Sequence, residues 1–213
     1  MFIFLIAVCM ATDIYGQPNG RKHNYDVIKE SEWTIPRNDT LSFAFDAYDD
    51  SSQALLLKRN IMDSKSASIA YPKNLDFRDG TIEADIASPK GGAGYIGLAF
   101  RIKDAHHYET VYFRPGYSKT FDAMQYMPEK KQEFNWPEYA DHRYQASAVL
   151  PLTSWFHIKL TVKGSSLTVY VNNEPNPIFT CDYLDKSLDR GSVGFWLGNS
   201  SVGAYKNLVV ETF

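Results

Sequence analysis

Cysteine is nearly absent from this 213-residue chain, with Cys9 and Cys181 as the whole supply. Removal of an N-terminal segment carrying Cys9 leaves Cys181 alone, so no intrachain disulfide can staple the fold. There is no Cys-x-x-Cys, no His-Glu-x-x-His and no Cys/His cluster, which leaves zinc without a ligand set and no metal assigned. Runs of Lys and Arg are missing too. With 22 basic and 25 acidic residues and a formal charge of −3, nucleic acid is not a supported partner. No apolar stretch is long enough for a membrane-spanning helix. Helical periodicity is also lacking, apart from single turns over residues 27–33 and 183–188, and there is no internal repeat or low-complexity segment.

What the chain does contain is a fair apolar content, 44%, and a high aromatic content, 15%. A domain of this length can bury roughly 70% of its unfolded surface and needs no staple. Residues 2–11 are apolar and match the hydrophobic region of a secretory signal, although no Lys or Arg precedes them. Cleavage after Ala11 or Gly16 is consistent with that reading, the latter preferred. The organisation expected is therefore a signal peptide over 1–16, a polar mobile leader over 17–32 and one domain over 33–213, secreted or periplasmic. A buried N-terminal strand is the competing reading of the apolar run.

Strict alternation recurs along the chain, at residues 40–48, 81–87, 155–163 and 167–172. Turn signals such as Asp79-Gly80, Pro89-Lys90-Gly91-Gly92 and Asn172-Asn173 separate the runs. About a dozen short strands at regular spacing argue for an antiparallel sandwich or barrel. The clearest pair is GYIGLAFRIKDAHHYETVYFRP, residues 94–115. In its first strand Ile96, Leu98, Phe100 and Ile102 share one face, and Tyr95, Gly97, Ala99 and Arg101 share the other. A face that is small in its middle, with an aromatic at one end and a cation at the other, suits the floor of a groove. The second strand has two readings. If Val111 and Phe113 face the core, Tyr112 and Arg114 face the groove and Glu109 points into the core layer. The opposite phase puts Glu109 and His107 on the groove. A strand is also expected over 121–127, ended by Pro128. Residues 129–143 lack any period, and so long an irregular segment is often functional.

The segments FRDGTIEADI, GYIGLAFRI, YETVYFRP, WFHIKLTVKGSSLTVYVNN and GSVGFWLGNSSVGAYKNLVV, taken in that order, resemble the concanavalin A-like lectin/glucanase superfamily. Within it they look like the laminin-G-like branch, near secreted bacterial domains of the 3-keto-disaccharide hydrolase type, over roughly residues 41–210. The resemblance implies an all-β jelly roll, two antiparallel sheets with a concave face that commonly holds sugars. It also implies that some relatives bind calcium structurally; Asp49-Asp50 is too generic to assign such a site. Fold does not fix function, so the residues must argue it.

Glycoside hydrolysis needs two carboxyls roughly 5 to 9 Å apart. Catalytic glucanases of this superfamily carry Glu-x-Asp-x-Glu on one strand. Here Glu83 and Asp85 are followed by Ala87, and the strand equally fits a non-catalytic, solvated one. Ligand binding is read onto Arg101, Tyr112, Arg114, Gln125, Trp136 and Trp196. Arg offers a planar fork of donors, Gln a donor and an acceptor, and the aromatics stacking faces. Trp196 alternates out of phase with Val193, Phe195 and Leu197, which points it away from their layer. An ordinary Arg–Glu pair and a loop that plugs its own sandwich are the bland readings of the same residues. His106-His107 reads as a hairpin turn, because sequence neighbours on a strand face opposite sides. Three functions follow: a secreted domain binding a glycan; an enzyme cleaving 3-keto or ordinary glycosides, with Glu109 or His142 as base and Arg114 as oxyanion stabiliser; or a protein-binding adhesion module.

Overall fold

The computed structural model describes residues 20–25, 29–36, 41–49, 52–60, 67–91, 94–130, 136–199 and 201–213. The expected signal peptide lies outside the described residues. In chain order the strands are β1 Lys22–Tyr25, β2 Trp33–Thr34, β3 Leu41–Tyr48, β4 Ser52–Arg59, β5 Ser68–Pro72, β6 Gly80–Ala87, β7 Ile96–Asp104 and β8 His107–Phe113. They continue with β9 Met124–Lys130, β10 Gln145–Ala146, β11 Phe156–Lys163, β12 Ser166–Val171, β13 Phe179–Cys181, β14 Ser192–Leu197 and β15 Val202–Thr212.

Two antiparallel sheets form a sandwich. One has the order β13-β12-β11-β6-β15-β4-β3, with β1 also paired to β15; the other runs β10-β9-β8-β7-β14-β5-β2. The stretch expected as a mobile leader thus contains a strand, β1, in register with the end of the domain. The single turn expected near Trp33 is a 3₁₀ turn, Glu30–Glu32.

Alternation decides what each sheet buries. Ile82, Ala84 and Ile86 of β6 meet Leu98, Val111 and Phe195 of the opposite sheet in the core between the layers. Each fully buried Leu, Ile or Phe there contributes roughly 1.5–3 kcal/mol. A second apolar cluster sits on the outward face of the seven-stranded sheet and includes Ile69, Ala99, Tyr108, Tyr112, Met127 and Trp196. The out-of-phase position of Trp196 in β14 places it in this outer cluster, while Val193, Phe195 and Leu197 enter the core.

Two details of β7 to β9 depart from simple alternation. The register of β7 against β8 shifts between Phe100 and Asp104, and Arg101 takes a positive φ of 52°. This bulge sends Ile102 outward beside Ala99, not inward with Ile96, Leu98 and Phe100 as alternation alone predicts. Strand β9 begins at Met124, after a 3₁₀ turn Phe121–Ala123, and it runs through Pro128 to Lys130 instead of stopping at the proline. Beyond Met124 and Gln125, β9 has no β10 partner, so Pro128 sits on an edge where its missing N–H costs no ladder bond.

Gly97 shows how closely the outer face is built. In register, Trp196, Gly97, Tyr112 and Gln125 form one row across four strands. The rings of Tyr112 and Trp196 lean together over the glycine and stack at 5.0 Å. A Cβ on Gly97 would lie 2.1 Å from the Val111 carbonyl oxygen and 3.0 Å from Tyr112 Cβ. Gly97→Ala is therefore expected to lower stability by about 1–3 kcal/mol in urea unfolding, through overpacking. A variant as stable as the parent would contradict this packing.

Candidate functional site

The structure settles the phase of β8. Val111 and Phe113 enter the core, while Tyr108 and Tyr112 join the outer cluster. Tyr112 and Gln125 are register partners on neighbouring strands, and Gln145 on β10 extends the row. The Gln125 amide is fully engaged. Its oxygen accepts from the Tyr112 hydroxyl and from Arg114 Nη2 at 3.1 Å, and its nitrogen donates to the carbonyls of Trp136 at 3.2 Å and Tyr139 at 2.7 Å. Gln125 thus ties the 3₁₀ turn Trp136–Tyr139 to the sheet. Residues 131–135 of the irregular segment lie outside the described residues.

Arg114 follows β8 on the outward side. Its guanidinium carbon is 5.5 Å from the Tyr112 ring centre and 5.6 Å from that of Tyr117. Nη2 lies 3.8 Å from Asp122 Oδ1, and Asp122 Oδ1 accepts from Gln145 Nε2 at 3.0 Å. The Arg114 Nε is buried without a hydrogen-bond partner. Three large side chains on the adjoining turns are open to solvent: Tyr117 at 45%, against Arg114, Phe121 at 51%, against His142, and Trp136 at 42%, whose carbonyl Gln125 holds. Trp196 and Tyr112, at 1% and 2%, form a floor beneath and do not present a surface to solvent.

The other expected site residues are placed elsewhere. Arg101 does not face outward with Tyr95 and Ala99. It is buried, and its Nη1 donates to Glu109 Oε1 at 3.1 Å. Glu109 lies in the sandwich interior, accepting from the Tyr126 hydroxyl at 2.6 Å and from the Asp185 N–H at 3.2 Å. His142 is exposed on the irregular segment, edge-on to Phe121 at 4.4 Å. The structure does not join Glu109 and His142, nor does it join Glu109 to Arg114. His107 binds Asp104 at the hairpin turn, 2.8 Å away.

Glu83 and Asp85 lie on β6, in the other sheet, and point outward there. His157 stands between them, with Nδ1 2.8 Å from Asp85 and Nε2 3.4 Å from Glu83, and Lys159 is 3.1 Å from Glu83. The hydrogen bond to Asp85 holds the His157 pKa above its usual value, against partial burial. These acids are engaged with cations on the face opposite the aromatic one. Among the described residues no group of three His, Cys, Asp or Glu side chains is arranged to hold a metal ion.

Sequence reasoning did not find Asp122, Tyr117 or Phe121. The 3₁₀ turn at 121–123 was legible only through Thr120, whose hydroxyl caps the Asp122 N–H. It also missed Glu129, a buried carboxyl on the outer face that accepts from the Tyr108 hydroxyl, which in turn accepts from Trp196 Nε1 at 3.3 Å.

No protein-family model matches the chain. No curated protein matches it either. Solved structures do. A carbohydrate-binding module from Bacillus subtilis superposes with a TM-score of 0.60 at 15% identity, over 83% of this chain and 93% of that one. A Bacillus subtilis protein described as having a galectin-like fold gives 0.58 at 15% identity, over 89% and 94%. The β-glucanase of Bacillus licheniformis gives 0.57 at 11% identity, over 90% and 98%. The chain shares with these structures the fold of two antiparallel sheets packed as a jelly-roll sandwich.

Two buried carboxyls flank β8 and β9, one on each side of the sheet. Burial pushes Glu109 up to about 7, against the opposing pull of Tyr126, Arg101 and the Asp185 N–H. Burial likewise raises Glu129 to about 7, against Tyr108 and the charge of Arg59. A carboxyl raised in the folded state binds its proton more tightly there than in the unfolded chain. Between about 4.5 and 7 the folded state therefore holds more protons, and stability falls as pH rises through that window. Each group accounts for up to roughly 3 kcal/mol at 1.36 kcal/mol per pKa unit. Urea unfolding from pH 4.5 to 8 is expected to show this decline, and Glu129→Gln to flatten it by about half. A variant with the parent's pH profile would contradict the assignment.

Proposed function

We propose that the chain is a carbohydrate-binding domain that takes its glycan on the outward face of the seven-stranded sheet, at the end where Arg114 emerges. One observation carries this reading: a guanidinium and a carboxylate lie side by side on a sheet face floored by buried aromatics, with the exposed ring of Tyr117 against Arg114 and the exposed rings of Phe121 and Trp136 on the adjoining turns. Exposed rings supply apolar faces for the C–H side of a sugar, and Arg114 and Asp122 supply a charged donor and acceptor for its hydroxyls. The floor of Tyr112 and Trp196 sets the position of Arg114 and is not itself a contact surface. The fold's likeness to a carbohydrate-binding module and a β-glucanase is in keeping with this reading.

Binding without cleavage is the form of this function that the residues favour. Glu83 and Asp85 are on the wrong sheet and are paired with His157, Glu109 is enclosed with Arg101, and His142 stands apart from both. Export to the cell exterior or periplasm, where such glycans are met, rests on the apolar run at 2–11.

Trp136→Ala is expected to weaken glycan binding by about tenfold or more with an unchanged circular dichroism spectrum, because an exposed ring contributes contact and not core packing. Screening on a glycan array followed by calorimetry on the strongest hit measures it. Equal affinity of parent and variant, or no glycan bound by the parent, would remove the reading.

A further inference from the structure

The charges at the mouth of this face also bear on which sugars it admits. A guanidinium fork alone is a receptor for carboxylates, which it meets with two parallel hydrogen bonds. No carboxylate is hydrogen-bonded to the Arg114 fork. Nη2 is held by Gln125 at 3.1 Å, Nε is buried without a partner, and the plane is fixed between Tyr112 and Tyr117. The nearest carboxylate oxygen, Asp122 Oδ1, stops at 3.8 Å, beyond hydrogen-bond distance. It is kept there by Gln145 Nε2 at 3.0 Å, and Gln145 is in register with Gln125 on the sheet. The gap between cation and anion is therefore set by two glutamines anchored on adjacent strands.

Resting on the glycan-binding reading, we propose that Asp122 is a specificity-determining residue that restricts the Arg114 site to neutral sugars bearing two adjacent hydroxyls. Each hydroxyl is both donor and acceptor. One accepts from the Arg114 guanidinium while its neighbour donates to Asp122, so an adjacent pair closes the gap that the protein leaves open. A uronate or sulfated sugar brings a second anion toward Asp122, and the like charges disfavour it by an amount that falls with added salt. Asp122 is half exposed and outside both apolar clusters, so its replacement leaves the core intact.

Matched oligosaccharide pairs differing only in oxidation at C6 test this: cello-oligosaccharides with their β-1,4-linked glucuronate forms, and β-1,4-mannan oligomers with β-1,4-linked oligomannuronate. The parent protein is expected to bind the neutral member of at least one pair about tenfold or more tightly than its uronate. Asp122→Asn and Asp122→Ala, each checked for an unchanged melting temperature, are expected to shrink that ratio to near one or invert it in favour of the uronate. A parent that binds the uronate as well as or better than the neutral member overturns the proposal, as does a ratio that survives both substitutions. A parent that binds no member of any pair, nor any sugar on a wider array, overturns the glycan reading itself and this proposal with it.

Discussion

Arg101 sits where β7 breaks its pleat, and its guanidinium closes the lower end of the sandwich. Nε donates to the Arg78 carbonyl at 3.0 Å, Nη1 to Glu109 at 3.1 Å and to the Leu188 carbonyl at 3.3 Å, and Nη2 to Asp79 at 3.2 Å and to the Gly164 carbonyl at 2.6 Å. Those partners come from the turn before β6, the β11–β12 hairpin, the segment before β14, and β8 itself. A buried cation is tolerable only when so fully bonded. The positive φ at Arg101 costs of order 1–3 kcal/mol, and the bonds that the bulge makes reachable oppose that cost. The same bulge turns Ile102 outward and completes the apolar cluster under the candidate site. Glu109, the partner of Arg101, is thereby a structural carboxyl. Its raised pKa reflects enclosure in the sandwich, not exposure to a substrate.

The two outward faces of the sandwich then differ in kind. On the eight-stranded sheet, Glu83, Asp85, His157 and Lys159 pair with one another in a charge cluster. On the seven-stranded sheet, a row of aromatic and amide side chains crosses four strands and ends beside the guanidinium of Arg114. Even in the first cluster, His157 Nε2 is buried without a hydrogen-bond partner. In the second, a buried Nε without a partner and a cation–anion gap too wide for a hydrogen bond leave polar capacity unused beside exposed rings. Buried polar groups are seldom left so, and a hydroxylated ligand is a chemical complement to the open cation–anion pair.

Period-two alternation made most of the fold legible, since a strand in a sandwich must send alternate residues to the core. It also placed Trp196 outside the layer of Phe195, and it narrowed β8 to two phases. The choice between them was not readable, because Glu109 looks like a groove residue until its partner is known. That partner, Arg101, reaches it only through a bulge, and a bulge leaves no mark in the hydrophobic pattern of a strand. Pro128 misled for a related reason: proline ends an interior strand but not an edge, and edge position is a property of the sheet. Arg114, Gln125 and Trp136 were legible as candidates by chemical type, and Gln125 bonds both the Arg114 guanidinium and the Trp136 carbonyl. Asp122, Tyr117 and Phe121 were not, because they sit on short 3₁₀ turns whose placement depends on where β9 begins.

The central claim is that a sugar meets this protein at Arg114 on the aromatic face. Arginine Nε–H and tryptophan indole N–H resonances report it directly, followed by nuclear magnetic resonance while a bound neutral oligosaccharide is titrated in. The account predicts that the Arg114 Nε–H and Trp136 indole signals shift together and saturate at one stoichiometric equivalent, with the Trp155 indole on the rim of the opposite face unmoved. Shifts confined to Trp155 and His157, with Arg114 and Trp136 silent, would contradict it.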